Sequence, residues 1–167
     1  TNGMFALVFV RLDPPEVIVA RDRLGIRALY RANGADGSWA VGSTVRSVAS
    51  AGLVPWRLSR AGLASSLAFG SVYEPHPIAE GIEPIAPGTW ERWRPGGDWR
   101  TQRWWEIPEP SREWSLAEAA EPVREALVGA VRRRTRSSHP LGVFVSGGTD
   151  SSSLTILLGE AKVEPLS

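Results

Sequence analysis

The sequence predicts an α+β unit followed by the opening of an α/β unit, and three observations carry that expectation. The front alternates short runs rich in β-branched and aromatic residues with clusters of Asp, Asn, Gly and Pro, as an antiparallel sheet does. Two stretches with apolar residues at helical spacing interrupt it, each followed by a glycine suited to stopping a helix. Towards the end an uninterrupted apolar run of strand length meets a double glycine and then helical composition, the order expected of a parallel strand covered on both faces and entering a helix.

Phe5 to Val10 and Val17 to Ala20 read as strands around the turn Asp13-Pro14-Pro15. Ala28 to Arg31 and Trp39 to Val41 read as two more, around Asn33-Gly34-Ala35-Asp36-Gly37-Ser38. Thr44 to Ala51 and Ser59 to Phe69 are the two helical stretches, closed by Gly52 and Gly70. From Ser71 to about Arg112 the chain is dense in Pro, Gly and Trp and reads as an irregular, partly packed connector, with strands around Thr89 to Trp93 and Trp99 to Trp104. Ser115-Leu116-Ala117-Glu118 has the form of a capping box, in which serine and glutamate each satisfy an otherwise unpaired amide at a helix start. The helix that follows places Leu116, Ala120, Val123, Leu127, Ala130 and Val131 on one face, and Pro122 predicts a kink or a restart. It is expected to end near Ser137-Ser138-His139-Pro140. The apolar strand is Leu141-Gly142-Val143-Phe144-Val145, helical composition resumes from Ser151 to Gly159, and a further strand is expected after Pro165. The domains read as 1–110 and 111–167.

Composition excludes several classes. At 43% hydrophobic and 22% charged the chain is globular, and a net charge of +1 from 19 basic and 18 acidic residues gives no field to attract nucleic acid or a membrane. The absence of cysteine removes disulfides, thiolate metal sites and a cysteine nucleophile from these residues. No apolar run approaches the roughly 18 residues of a membrane span. The start Thr1-Asn2-Gly3-Met4 lacks the pattern of a signal peptide, so a cytoplasmic protein is expected. Both ends read as cut, so the chain is expected to be an internal fragment of a longer protein. Arg132-Arg133-Arg134-Thr135-Arg136 reads as the basic last turn of a helix rather than a nucleic-acid patch. His76 and His139 have no second histidine or cysteine at ligand spacing. Trp90, Trp93, Trp99, Trp104 and Trp105 alternate with arginine, as a base-stacking surface would.

The chemistry concentrates in Ser146-Gly147-Gly148-Thr149-Asp150-Ser151. Two adjacent glycines let the backbone turn sharply and aim several N–H groups at one point, and the following helix adds its positive end. A pyrophosphate group would thereby be held without a lysine, with Ser146 and Ser151 as hydroxyl donors. Asp150 repels a bare polyphosphate, so its natural role is to hold a Mg²⁺ ion that bridges to the phosphate oxygens. A Walker loop needs Lys and then Ser or Thr after its last glycine, and a nucleophile elbow needs Gly where this chain has Phe144. The plain alternative is a glycine-rich turn between strand and helix.

Gly142-Val143-Phe144-Val145-Ser146-Gly147-Gly148-Thr149-Asp150-Ser151-Ser152 resembles the ATP-pyrophosphatase signature shared by asparagine synthetases, β-lactam synthetases and lasso peptide cyclases. Asn2-Gly3-Met4-Phe5-Ala6, Ala20-Arg21-Asp22-Arg23-Leu24-Gly25-Ile26, Glu74-Pro75, Glu80-Gly81-Ile82 and Pro87-Gly88 follow the order of similar segments in asparagine synthetases, so the resemblance covers nearly the whole chain. It implies that residues 1–110 are the carboxy-terminal part of an Ntn-hydrolase-type glutaminase, a sandwich of two β-sheets between helices, plus a connector. Residues 111–167 would then open the ATP-pyrophosphatase domain. The family's amino-terminal cysteine nucleophile and glutamine-binding motifs lie outside these residues, so no catalytic residue is assigned here. Arg21-Asp22 and Gly25 are expected to be a strand-end ion pair and a turn. For Trp90, Trp93, Trp99, Trp104 and Trp105 the resemblance implies interdomain packing instead of base stacking.

By position, the resemblance implies that Ser146, Gly147, Gly148 and Ser151 grip the pyrophosphate portion of ATP, that Thr149 lies in the same loop, that Asp150 ligates Mg²⁺, and that Val145 sits beside the adenosine part. The substrates implied are aspartate, glutamine and ATP, with no nucleic acid or membrane partner and room for a homodimer in the full-length protein. Ser43-Thr44 stands where the family commonly has Ser-Glu, and Thr149 where Leu is commoner. Three readings therefore stand open: a piece of a glutamine-dependent asparagine synthetase, a piece of an ATP-dependent amide-forming relative without glutaminase activity, and an inactive folded fragment.

Overall fold

The computed structural model describes residues 2–161 and divides between Pro108 and Glu109 into two compact units. The first holds seven strands in two antiparallel sheets. Strands β1 (Ala6–Leu12), β2 (Pro15–Arg21), β6 (Thr89–Trp93) and β7 (Arg100–Arg103) form one sheet in the order β1-β2-β6-β7. Strands β3 (Tyr30–Asn33), β4 (Trp39–Gly42) and β5 (Ile82–Pro84) form the other in the order β4-β3-β5. Helices α1 (Val45–Ala49) and α2 (Arg60–Phe69) lie between β4 and β5 in the chain.

Alternation along the strands decides what faces what. Val17 and Val19 of β2 are buried with Leu29 and Ile85, and Trp39, Val41, Trp93 and Trp99 close around them from both sheets. Trp39 lies 5.7 Å from Trp93 and 5.6 Å edge-on from Trp99. Trp93 and Trp99, for which interdomain packing was expected, thus pack on the core of the first unit. Each fully buried valine or isoleucine contributes about 1.5–3 kcal/mol. One ion pair crosses between the sheets: Arg31 Nε of β3 meets Glu91 Oε2 of β6 at 2.6 Å, and Thr101 Oγ1 donates to Glu91 Oε1 at 3.3 Å. The opposite face of the second sheet buries Ala32 and Ile82 against Val48 of α1 and Ala79.

The stretch from Ser71 to Arg103 is more than the irregular connector expected from sequence. Its strands β6 and β5 pair with β2 and β3 and complete both sheets. Three residues, Ile82 to Pro84, set between Gly81 and Pro87 carry too little alternation to show β5 in the sequence. Thr44 and Ser59 cap α1 and α2, and Gly70 closes α2.

Helix α2 packs closely at Gly62, where an added Cβ would lie 2.8 Å from Ile78 Cα and press on the Pro77 carbonyl. Gly62→Ala gains about 1 kcal/mol of helix propensity. Overpacking against backbone that cannot yield costs about 1–3 kcal/mol, so a net loss of stability is expected in urea unfolding. Gly159→Ala, which meets nothing within 4 Å, is expected to stabilise its helix instead.

The Arg21–Asp22 ion pair expected from sequence is not formed: Arg21 ends β2 and pairs with Glu74, while Asp22, the next residue, points the other way. Asp22 is 2% exposed and turns into a cage of amides: its carboxylate accepts from Phe5, Leu24, Ile26 and Arg27 N–H groups at 3.3, 3.2, 3.0 and 3.0 Å. Burial by itself raises its pKa, but the four backbone donors outweigh burial and hold the carboxyl below its ordinary value. A depressed carboxylate adds stability that is complete above the unfolded value of about 3.9 and disappears as pH falls through the folded value. Asp22→Asn is therefore expected to be less stable than the parent at pH 7, with the gap narrowing below about pH 4. Urea titrations at both pH values check this, and a gap independent of pH would refute it.

The second unit contains helices α3 (Leu116–Arg134) and α4 (Thr149–Glu160). The capping box forms, with Glu118 N–H donating to Ser115 Oγ and Ser115 N–H donating to Glu118 Oε2 at 2.9 Å. The Ser115 hydroxyl and then its amide hold the Glu118 carboxyl below its ordinary value. Pro122 neither breaks nor restarts α3, which runs on as one helix and ends at Arg134, short of the expected stop near Ser137. Val131, Leu157 and Ala161 form the buried contact of the two helices, with Arg124 paired to Glu160 at 2.6 Å.

The expected strand over Leu141–Val145 is not formed. A parallel strand exists only by hydrogen bonding to a neighbour. None is present among the described residues of this unit, and Phe144 is fully exposed. The strand expected after Pro165 lies outside the described residues.

Candidate functional site

A sharp turn at Gly147 and the first turn of α4 bring Ser146, Gly147, Gly148, Thr149, Asp150 and Ser151 into one exposed segment. Gly147 turns the chain at φ 79°, a conformation that side chains disfavour, and a Cβ there would meet nothing, so backbone strain and not crowding calls for glycine. Gly148 caps α4 with extended backbone and no side-chain hydrogen bond. The first helical bond runs from Ser152 N–H to Gly148 C=O at 3.1 Å, which leaves the first-turn amides without intrahelical acceptors.

The two serines close the loop on itself. Ser146 N–H donates to Ser151 Oγ at 3.2 Å, Ser151 Oγ donates to Gly148 C=O at 3.2 Å, and the two hydroxyls lie 3.1 Å apart. Gly148 N–H reaches Ser146 Oγ at 3.4 Å. The loop thus has a defined shape, with the Ser146 and Gly148 amides donating to two adjoining serine hydroxyls just ahead of the positive end of a twelve-residue helix.

Asp150 is the one acidic residue of the first turn of α4. Among the described residues no cluster of three or more His, Asp or Glu is placed to hold a metal. The donor set suits Mg²⁺, which takes one or two carboxylates and completes its shell with phosphate oxygens and water, and does not suit an all-protein metal cage. Val145 is more than half exposed beside the loop.

In the first unit, sequence reasoning missed the partner of Arg21. That guanidinium is buried, and its five N–H groups all find acceptors: Nε donates to Arg27 C=O, one terminal nitrogen to Ile85 C=O and Glu74 Oε2 at 2.7 Å each, and the other to Gly25 C=O and Glu74 Oε1 at 2.7 and 3.1 Å. No spacing rule links residues 53 apart, and only the order of the segments around Glu74 marked it. Met4, Phe5, Ile26 and Ser43 line a cleft of about 520 Å³ near this hub.

Comparison with known proteins matches residues 1–105 to the glutamine amidotransferase domain and residues 122–167 to asparagine synthase. The chain belongs to the asparagine synthetase family, in which these two domains follow one another. It is 31% identical to the amidase chry2 of Gibberella zeae over 92% of this chain and 23% of that protein. It is 28% identical to the amidase chyE of Penicillium rubens over 95% of this chain and 24% of that protein. With asparagine synthetase (glutamine-hydrolysing) 3 of Bacillus subtilis the identity is 27%, over 93% of this chain and 25% of the relative. The chain spans about a quarter of the length of these curated relatives. No helix among the described residues is long and apolar enough to cross a membrane.

Proposed function

We propose that the chain is part of a glutamine-dependent asparagine synthetase: residues 1–110 end its Ntn-type glutaminase domain and connector, and residues 111–167 begin its ATP-pyrophosphatase domain. The single observation that carries this reading is the Ser146–Ser151 loop, with two hydroxyls 3.1 Å apart ahead of α4 in the segment that matches asparagine synthase.

In this reading Ser146, Gly147, Gly148, Thr149 and Ser151 bind the β- and γ-phosphates of ATP, and Val145 flanks the adenosine part. Asp150 would ligate a Mg²⁺ ion, which neutralises phosphate charge as it develops. The aspartate side-chain carboxylate attacks the α-phosphorus, the bond to the bridging oxygen breaks, and pyrophosphate leaves into the loop. Ammonia from glutamine then attacks the acyl carbon of the adenylate and AMP departs. The first-turn amides of α4, which lack intrahelical acceptors, would stabilise the charge that the leaving pyrophosphate gains.

Full-length protein given ATP, Mg²⁺, aspartate and glutamine is expected to release one pyrophosphate per asparagine formed, and residues 1–167 alone are expected to release none. Pyrophosphate release that no carboxylate stimulates would overturn the proposal.

A second reading, an amide-forming relative that does not use glutamine, is favoured by Ser43-Thr44. Thr44 caps α1, its Oγ1 accepting from Ser47 N–H at 3.1 Å, so the residue in the family's acidic position serves the helix. Equal rates with ammonium and with glutamine as nitrogen source argue for the glutaminase-coupled enzyme; activity with ammonium alone argues for the relative.

A further inference from the structure

We draw no further inference here: the strongest candidate, the outer face of the four-stranded sheet where Leu7, Ile18 and Trp90 border a cleft of about 530 Å³ beside Arg11, Arg92 and Arg94, carries nothing new, because a helical layer over such a face already belongs to the sandwich that the family resemblance implies and nothing else in the structure shows what covers it.

Discussion

Arg21→Ala is expected to destabilise the first unit by about 3–5 kcal/mol, the range for breaking a buried ion pair by removing one partner. The loss has two sources. Glu74 keeps its charge without a counterion, and it is about a third exposed, which places the effect toward the lower end of that range. The carbonyls of Gly25, Arg27 and Ile85 lose their donor as well, and the one at Ile85 is in a fully buried residue. Arg21→Lys is expected to recover only part of the loss, since an ammonium cannot fork across both oxygens of Glu74 while reaching three carbonyls. Urea unfolding at pH 7 measures both variants. A loss under about 1 kcal/mol for alanine would place the pair among surface bridges and refute its role as a hub.

Asp150→Ala in the full-length protein is expected to lower pyrophosphate release from ATP by a factor on the order of 10²–10³, the scale of losing one preorganised charge-stabilising group. Glutamine hydrolysis should remain measurable, because the proposed role of Asp150 lies wholly in the nucleotide site. Asp150→Asn separates charge from shape: as a neutral near-isostere it should lose a similar factor and should show a raised Mg²⁺ requirement. Pyrophosphate release unchanged in both variants would remove Asp150 from the metal assignment and leave the loop as an anion site made by backbone alone.

What the sequence made legible was whatever depends on near neighbours. The β1–β2 hairpin, the serine and threonine caps of α1, α2 and α3, and the helix that follows Gly148 each follow from residues a few positions apart, where sterics and local hydrogen bonds decide. Pairings across long stretches were hidden. Arg31 with Glu91 and Arg21 with Glu74 join residues 60 and 53 positions apart, and no periodicity announces them. The Asp22 cage was misread because adjacent opposite charges suggest a pair, whereas strand geometry sends them apart and leaves the carboxylate to backbone amides. Leu141–Val145 failed for the converse reason: its composition fits a strand, but composition cannot supply the neighbouring strand that a ladder needs.

The candidate loop is a run of consecutive residues, so its positions adjoin in any fold and were open to being named from sequence. All the loop positions named from sequence lie together, and the structure adds how Ser146 and Ser151 bond to each other.

The pairing of β2 with β6 also sets an order of events as the chain is made. Val17 to Ala20 find their partners only at Trp90 to Trp93, so the hairpin of β1 and β2 waits for some seventy further residues before its inner ladder closes. Two-stranded hairpins are marginal in water by themselves. A nascent chain stalled ahead of Thr89 therefore holds an apolar ribbon with one side unpaired, and the cost of closing so long a loop falls on the folding rate rather than on final stability. The β2–β6 ladder can close only after Trp93 has been made, and slow translation before it is expected to prolong exposure of Val17 and Val19.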